Sequence, residues 1–269
     1  MTGRFVVALA ITTILAGCSS GAASIQPHAS LVPSATQAPA ASPASTDVVG
    51  PPSSASFPPY HPSIDPSKFS DQITNTYFPL KPGTTYVYDG KRDDVPRKAE
   101  VIVTSETKMI LGVKCIVVRD VVTSNDALVE KTVDWYAQDT DGNVWYFGED
   151  TAEYVNGAVT STAGTWLAGV DNALPGIVME AHPKVGDAYR QEYRPGEAED
   201  FAKVEKLDSA ITVPAGSYQQ VIVTEDTDLL DTSKLEHKSY APGVGFVGTE
   251  GMVNGHHEIV SLTSILTGS

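Results

Sequence analysis

The chain has 269 residues, with 18 Lys plus Arg against 33 Asp plus Glu, a formal charge of −15, and only two cysteines. That balance excludes a nucleic-acid surface, which needs a basic face to displace phosphate counterions, and it disfavours docking by charge onto anionic lipid. Two cysteines exclude a disulfide framework and a cysteine-rich zinc site. In chain order, residues 1–18 read first as an export signal. Arg4 precedes the apolar run Phe5–Ala16, which is too short to cross a hydrocarbon core as a helix. Residues 19–60 are rich in Ala, Ser, Pro and Thr, with Asp47 the one charged side chain. Such a composition buries too little apolar surface to offset chain entropy. It reads as a tether, with a fully extended reach of roughly 130 Å. Residues 61–269 remain as a single domain, long enough for its own core.

Leu15-Ala16-Gly17-Cys18 closes the apolar run and resembles the lipobox of bacterial lipoproteins, in which the cysteine becomes the new N-terminus and carries lipid. The resemblance implies lipidation at Cys18, attachment to a membrane through that lipid, and a cell-envelope location facing the extracytoplasmic side. Acyl chains contribute about 0.8 kcal/mol per buried CH₂, so two or more hold a domain firmly. Cys115 lies within Val113-Lys114-Cys115-Ile116-Val117-Val118, an apolar setting that suits a small core residue rather than a nucleophile.

From Tyr77 onward, β-branched and aromatic runs alternate with period two between Gly, Pro and Asp. Strands are expected near 84–89, 99–106, 113–122, 130–138, 144–148, 187–194, 199–207, 219–226, 234–240, 244–249 and 256–265. Helix is confined to a short turn in 66–73, with Asp65 as N-cap and Pro66 at the first position. The fold class expected is all-β with minor helix: an antiparallel, strongly curved sheet forming a barrel, half-barrel or sandwich. One hairpin can be registered. A three-residue loop Thr140-Asp141-Gly142, with Gly142 left-handed, pairs Trp135 with Phe147, Ala137 with Trp145 and Tyr136 with Tyr146. It sorts Val133, Trp135, Ala137, Trp145 and Phe147 onto a dry core face and leaves Tyr136 and Tyr146 on an amphipathic one.

Several motifs match in letters but not in context. Gly17-Cys18-Ser19-Ser20-Gly21 fits a nucleophile elbow but straddles the cleavage site. Gly243-Val244-Gly245-Phe246-Val247-Gly248 fits a dinucleotide fingerprint without a following helix. Asp139-Thr140-Asp141-Gly142 lacks the first and twelfth ligands of a calcium loop. Adjacent His256 and His257 point to opposite faces of a strand, which leaves His256 and Glu258 as a two-ligand set. No metal and no cofactor are expected.

The most suggestive polar region is Tyr189–Asp200. As a regular strand it places Tyr189, Gln191 and Tyr193 on one face, with Arg190 and Glu192 on the other. Glu192, Glu199 and Asp200 are the weak catalytic candidates, if burial splits their pKa values. Residues 161–186 read as a long segment without period, and such segments often serve as lids or binding loops. There Trp166 and Met179, if exposed, suit a greasy ligand; equally they cap a barrel end. With Tyr136, Tyr146 and Arg190 they make up the ligand-binding candidates.

Two stretches resemble a poorly characterised group of bacterial secreted proteins and lipoproteins: Trp135-Tyr136-Ala137-Gln138-Asp139 with Gly142–Asp150, and Tyr240-Ala241-Pro242-Gly243-Val244-Gly245 after Val213–Tyr218. The resemblance implies an antiparallel curved sheet and carries no activity. The expected function is therefore that of a lipid-anchored envelope protein with a non-catalytic β domain. Its partners are a small hydrophobic ligand or an envelope protein, and no nucleic acid. Two alternatives stand beside it: an envelope hydrolase using paired carboxylates, and a structural interaction module.

Overall fold

The computed structural model describes residues 59–268. The signal segment, Cys18 and all but the last two residues of the tether lie outside them. The expected helix is one 3₁₀ turn, Pro66–Lys68, and Asp65 caps it by accepting from the Ser67 amide. Sixteen strands make up the rest: β1 (Phe69–Ser70), β2 (Thr84–Arg92), β3 (Val95–Ile110), β4 (Val113–Ser124), β5 (Ala127–Asp139), β6 (Val144–Val155), β7 (Ala158–Ser161), β8 (Trp166–Leu167), β9 (Leu174–Met179), β10 (Ala188–Arg190), β11 (Glu192–Tyr193), β12 (Asp200–Val213), β13 (Gly216–Asp228), β14 (Leu235–Ala241), β15 (Gly245–Val253) and β16 (His256–Thr267). They form one antiparallel sheet that curls almost into a closed barrel, in the order β12-β13-β14-β15-β16-β2-β3-β4-β5-β6-β9.

Residues 188–193 bring the two edges together. β10 pairs with β12 at one edge and β11 with β9 at the other. Between them the Gln191 amide donates to the Asp200 carbonyl at 2.9 Å. The approach is so close that a Cβ on Gly176 would sit 2.2 Å from the Gln191 carbonyl oxygen. Glycine is required at this seam. The break at Gln191 also overturns the expected alternation. Arg190 and Tyr193 stack on one side, with 4.7 Å from the guanidinium to the ring centre, while the neighbours Gln191 and Glu192 are both almost fully buried.

The hairpin loop is as expected: Gly142 has φ +95°, and Tyr136 faces Tyr146 and Ala137 faces Trp145. Asp139 holds it, accepting from the Asn143 amide at 2.8 Å and the Trp145 indole at 2.7 Å. A bulge shifts the next pair, so that Trp135 opposes Gly148 rather than Phe147. The face assignment also needs correction. Tyr136 and Tyr146 are wholly buried and stacked at 4.7 Å, and they continue the inward row Glu130, Thr132, Asp134 of β5. The Trp145 and Phe147 face is the outer one, covered by Phe69 at 5.9 and 5.6 Å. In a closed barrel both faces of a strand can be dry, so apolarity alone does not mark the inside.

Segment 161–186 is only partly irregular. β8 and β9 both pair with β6. A Cβ on Gly148 would meet the Trp166 carbonyl at 2.4 Å, which is why the chain can lie down there. Trp166 and Met179 are buried, at 2% and 0% exposure, so they are wall residues rather than an exposed greasy loop.

Residues 73–80 close one end of the barrel as a plug. The Asn75 side chain donates to the carbonyls of Gly142 and Glu180 at 2.9 and 3.1 Å. The Gln138 side chain accepts from the Thr74 and Asn75 amides at 2.8 and 2.9 Å. Gly243 donates to the Thr76 carbonyl at 2.7 Å. Phe78 then points into the core against Tyr136, at 5.6 Å.

Candidate functional site

At the plugged end, a small cleft of about 30 Å³ lies between the plug, the β14–β15 turn and the wall. Phe78, Leu80, Tyr86, Tyr88, Val101 and Phe246 line it. The Tyr86 hydroxyl donates to the Pro79 carbonyl at 3.2 Å, and that of Tyr88 to the Phe246 carbonyl at 3.1 Å. Both hydroxyls are thus spent holding the cover, and the rings present apolar surface. Burial raises the pKa of each, so both phenols stay neutral.

Opposite the plug the interior is charged. Among the described residues ten carboxyl side chains are buried against four cationic ones, Arg92, Lys234, Lys238 and, at the seam, Arg190. Arg92 pairs with Glu258, and Lys234 with Asp200. Lys238 reaches Asp226 at 2.9 Å, and the Thr224 hydroxyl donates to the same carboxylate at 2.6 Å. Nearer the middle, the Tyr146 hydroxyl lies 2.6 Å from Asp134 and 3.1 Å from Glu149. An interior richer in carboxyls than in cations holds protons tightly. Burial raises Glu258 to about 8 against the pull of Arg92, and Asp200 to about 7 against that of Lys234. Glu236 is raised by burial as well. Burial works against the charge on Lys234 and Lys238, but the surrounding carboxylates outweigh it and push both upward.

The candidates from the sequence do not converge on one place. Tyr136, Tyr146 and Trp166 pack together inside the wall, with Trp166 edge-on to Tyr146 at 5.3 Å. Met179 is buried on β9. Arg190 lies at the seam between Tyr193 and Phe201, and reaches Glu199 at 3.4 Å. Burial raises the Tyr136 and Tyr146 phenols, and Glu192 adds a smaller push to both, whereas Asp200 is committed to Lys234. Glu192, Glu199 and Asp200 therefore have three different sets of neighbours. Cys18 lies outside the described residues. Cys115 is buried, and burial pushes its thiol up.

Residues lining the cleft carry no motif. Phe78-Pro79-Leu80 stands out only as an apolar triplet outside any strand. The charged interior has a clearer signal, because Glu130, Thr132 and Asp134 fall in phase with Tyr136. Polar residues in phase with a buried aromatic ring mark a strand whose interior is mixed.

The fold and cleft define a plugged, nearly closed antiparallel barrel. No family model matches the sequence, and no curated protein matches it. Among solved structures it is similar to a candidate exported protein with a YMCC-like fold from Bacteroides fragilis NCTC 9343. There the identity is 12%, the TM-score is 0.45, and 72% of this chain and 100% of that chain are covered. It is also similar to a candidate lipoprotein from Parabacteroides distasonis ATCC 8503, at 14% identity and a TM-score of 0.40, over 71% and 99% of the two chains. Likeness at this level carries no activity across.

Proposed function

We propose that this chain is an exported protein, anchored to a membrane by lipid on Cys18, whose barrel binds a small apolar ligand at its plugged mouth. One observation carries the binding half: the cleft has aromatic and aliphatic walls whose hydroxyls are already committed to the cover. Such a site rewards burial of apolar area, at about 25 cal/mol per Å², and offers no partner to a charged ligand. The anchoring half rests on Leu15-Ala16-Gly17-Cys18 after an apolar run, followed by a Pro-rich tether.

The test is titration of the full chain with the apolar fluorophore N-phenyl-1-naphthylamine, wild type beside Val101→Phe. Val101 lines the cleft, and the larger ring fills it. Saturable one-site enhancement in the wild type, weakened at least about tenfold in a variant that unfolds cooperatively, supports the assignment. Absence of saturable binding, or equal binding by both, overturns it. A fluorophore bound elsewhere on the barrel gives the second result.

A further inference from the structure

On the outside of the barrel, well separated in function from the cleft, β12, β13 and β14 carry three metal-donor side chains side by side. They are Glu205, Glu225 and His237, with one donor atom of each within 4.8 Å of the others. Glu225 and His237 are direct cross-strand partners. Glu205 comes from a bulge in β12, where the register with β13 shifts between Val204 and Lys206. Bulges re-aim side chains. All three residues are half-buried, so backbone ladders on both sides limit their freedom.

The separations suit a metal. Bonds of about 2.1 Å to Zn²⁺ in a tetrahedron put neighbouring ligand atoms about 3.4 Å apart. His237 Nε2 lies 3.4 Å from a Glu205 carboxylate oxygen. The Glu225 carboxylate oxygen lies within 4.8 Å of both. A neutral imidazole nitrogen donates its lone pair to a transition metal, which carboxylates alone do not select over Ca²⁺ or Mg²⁺. Glu250 of β15 stands across from His237 on the other side, at the register position from which a carboxylate can take the second ring N–H of a ligating histidine. His257, 3.2 Å from Glu250, extends the row. Lys203 opposes Glu225 in register and is the cation a metal would have to outcompete.

We propose that Glu205, Glu225 and His237 form a surface site for a divalent transition-metal ion of the Zn²⁺ class, with the remaining coordination position open to solvent. The site uses one nitrogen and two carboxylates. An open position makes it able to take up a further donor from a neighbouring molecule.

Isothermal titration of chelator-stripped full chain with Zn²⁺ near neutral pH tests the site. Any affinity tag is removed first, and variants His237→Ala, Glu225→Gln and His257→Ala run in parallel. The expected result is one saturable Zn²⁺ per chain, at least about tenfold weaker in the first two variants and within about twofold of wild type in His257→Ala. Excess Ca²⁺ should not displace it. Co²⁺ gives an independent readout: visible absorption of tetrahedral intensity in the wild type, lost in His237→Ala. No saturable site, or binding that survives both His237→Ala and Glu225→Gln, overturns the proposal. So does binding lost in His257→Ala while His237→Ala retains it.

Discussion

Raising the pH from 5 to 7 should destabilise this barrel, opposite to what paired carboxylates produce in most folds. The reason is the buried acid excess. Asp200 moves from its ordinary 3.8 to about 7 in the folded chain, and Glu258 from 4.5 to about 8, both through burial. A carboxyl whose folded pKa is raised contributes stability that is complete below its unfolded pKa and is lost as pH climbs through the folded value. The window for this pair therefore opens near pH 4 and closes near pH 8. Each proton held by the folded but not the unfolded chain gives a slope of about 1.4 kcal/mol per pH unit. Asp200 and Glu258 face cations that oppose their protonation, so one net proton is a sober count. That predicts a loss of about 3 kcal/mol between pH 5 and 7, or a fall in Tm of roughly 6–12 °C for a domain of this size. Urea unfolding followed by circular dichroism at pH 5, 6, 7 and 8 measures it directly. Glu258→Gln, which replaces one of the responsible carboxyls by a neutral isostere, should flatten the slope. Stability that is level or rising over pH 5–8 would refute the reasoning.

Other consequences are more local. Gly176→Ala forces a Cβ to within 2.2 Å of the Gln191 carbonyl oxygen, so it should lower unfolding free energy by at least about 2–3 kcal/mol and speed amide exchange at 188–193 before the rest of the sheet. Tyr60→Phe removes the hydroxyl that donates to the Pro175 carbonyl at 2.8 Å and should cost about 1 kcal/mol; Tyr60→Ala, which also removes the ring resting on Tyr193 at 5.5 Å, should cost more. Cys115 is buried and its thiol pushed up, so a disulfide reagent should leave it unlabelled until denaturant is added. Cys18→Ser should abolish incorporation of labelled palmitate and move the protein from the membrane fraction to the soluble one; a variant still labelled would remove the anchor.

How far the sequence foretells the barrel depends on which interactions fix each element. Strands governed by their own alternation, such as Val113–Ser124 or Leu235–Ala241, are legible within a few residues. So is the turn at Thr140-Asp141-Gly142, because Gly142 has to be left-handed and the Asp139 carboxylate has to accept from the Asn143 amide. Three features depend on partners far along the chain. Leu174–Met179 becomes a strand because β6 offers it an edge, not because six residues containing Pro175 and Gly176 prefer one. Phe147 is extruded by a bulge that exists because Gly148 lets the Trp166 backbone come within reach. The parity of 188–193 flips at Gln191 because two sheet edges must be met by one short segment.

The same distinction explains why the sites are hard to read. The cleft is assembled from a plug, a turn and three strands that share no pattern, and its wall residues look like any other core. Glu205, Glu225 and His237 are dispersed along the chain and meet only because β12, β13 and β14 are neighbours and β12 carries a bulge. His237 is therefore invisible as a donor in the sequence, while the adjacent His256 and His257 attract notice for a closeness that the strand undoes. His256 turns to Asp93 at 2.7 Å and His257 to Glu250 at 3.2 Å. In an antiparallel barrel, function is written across the strands. Spacing along one strand reports which face a residue occupies, and only the register reports its company.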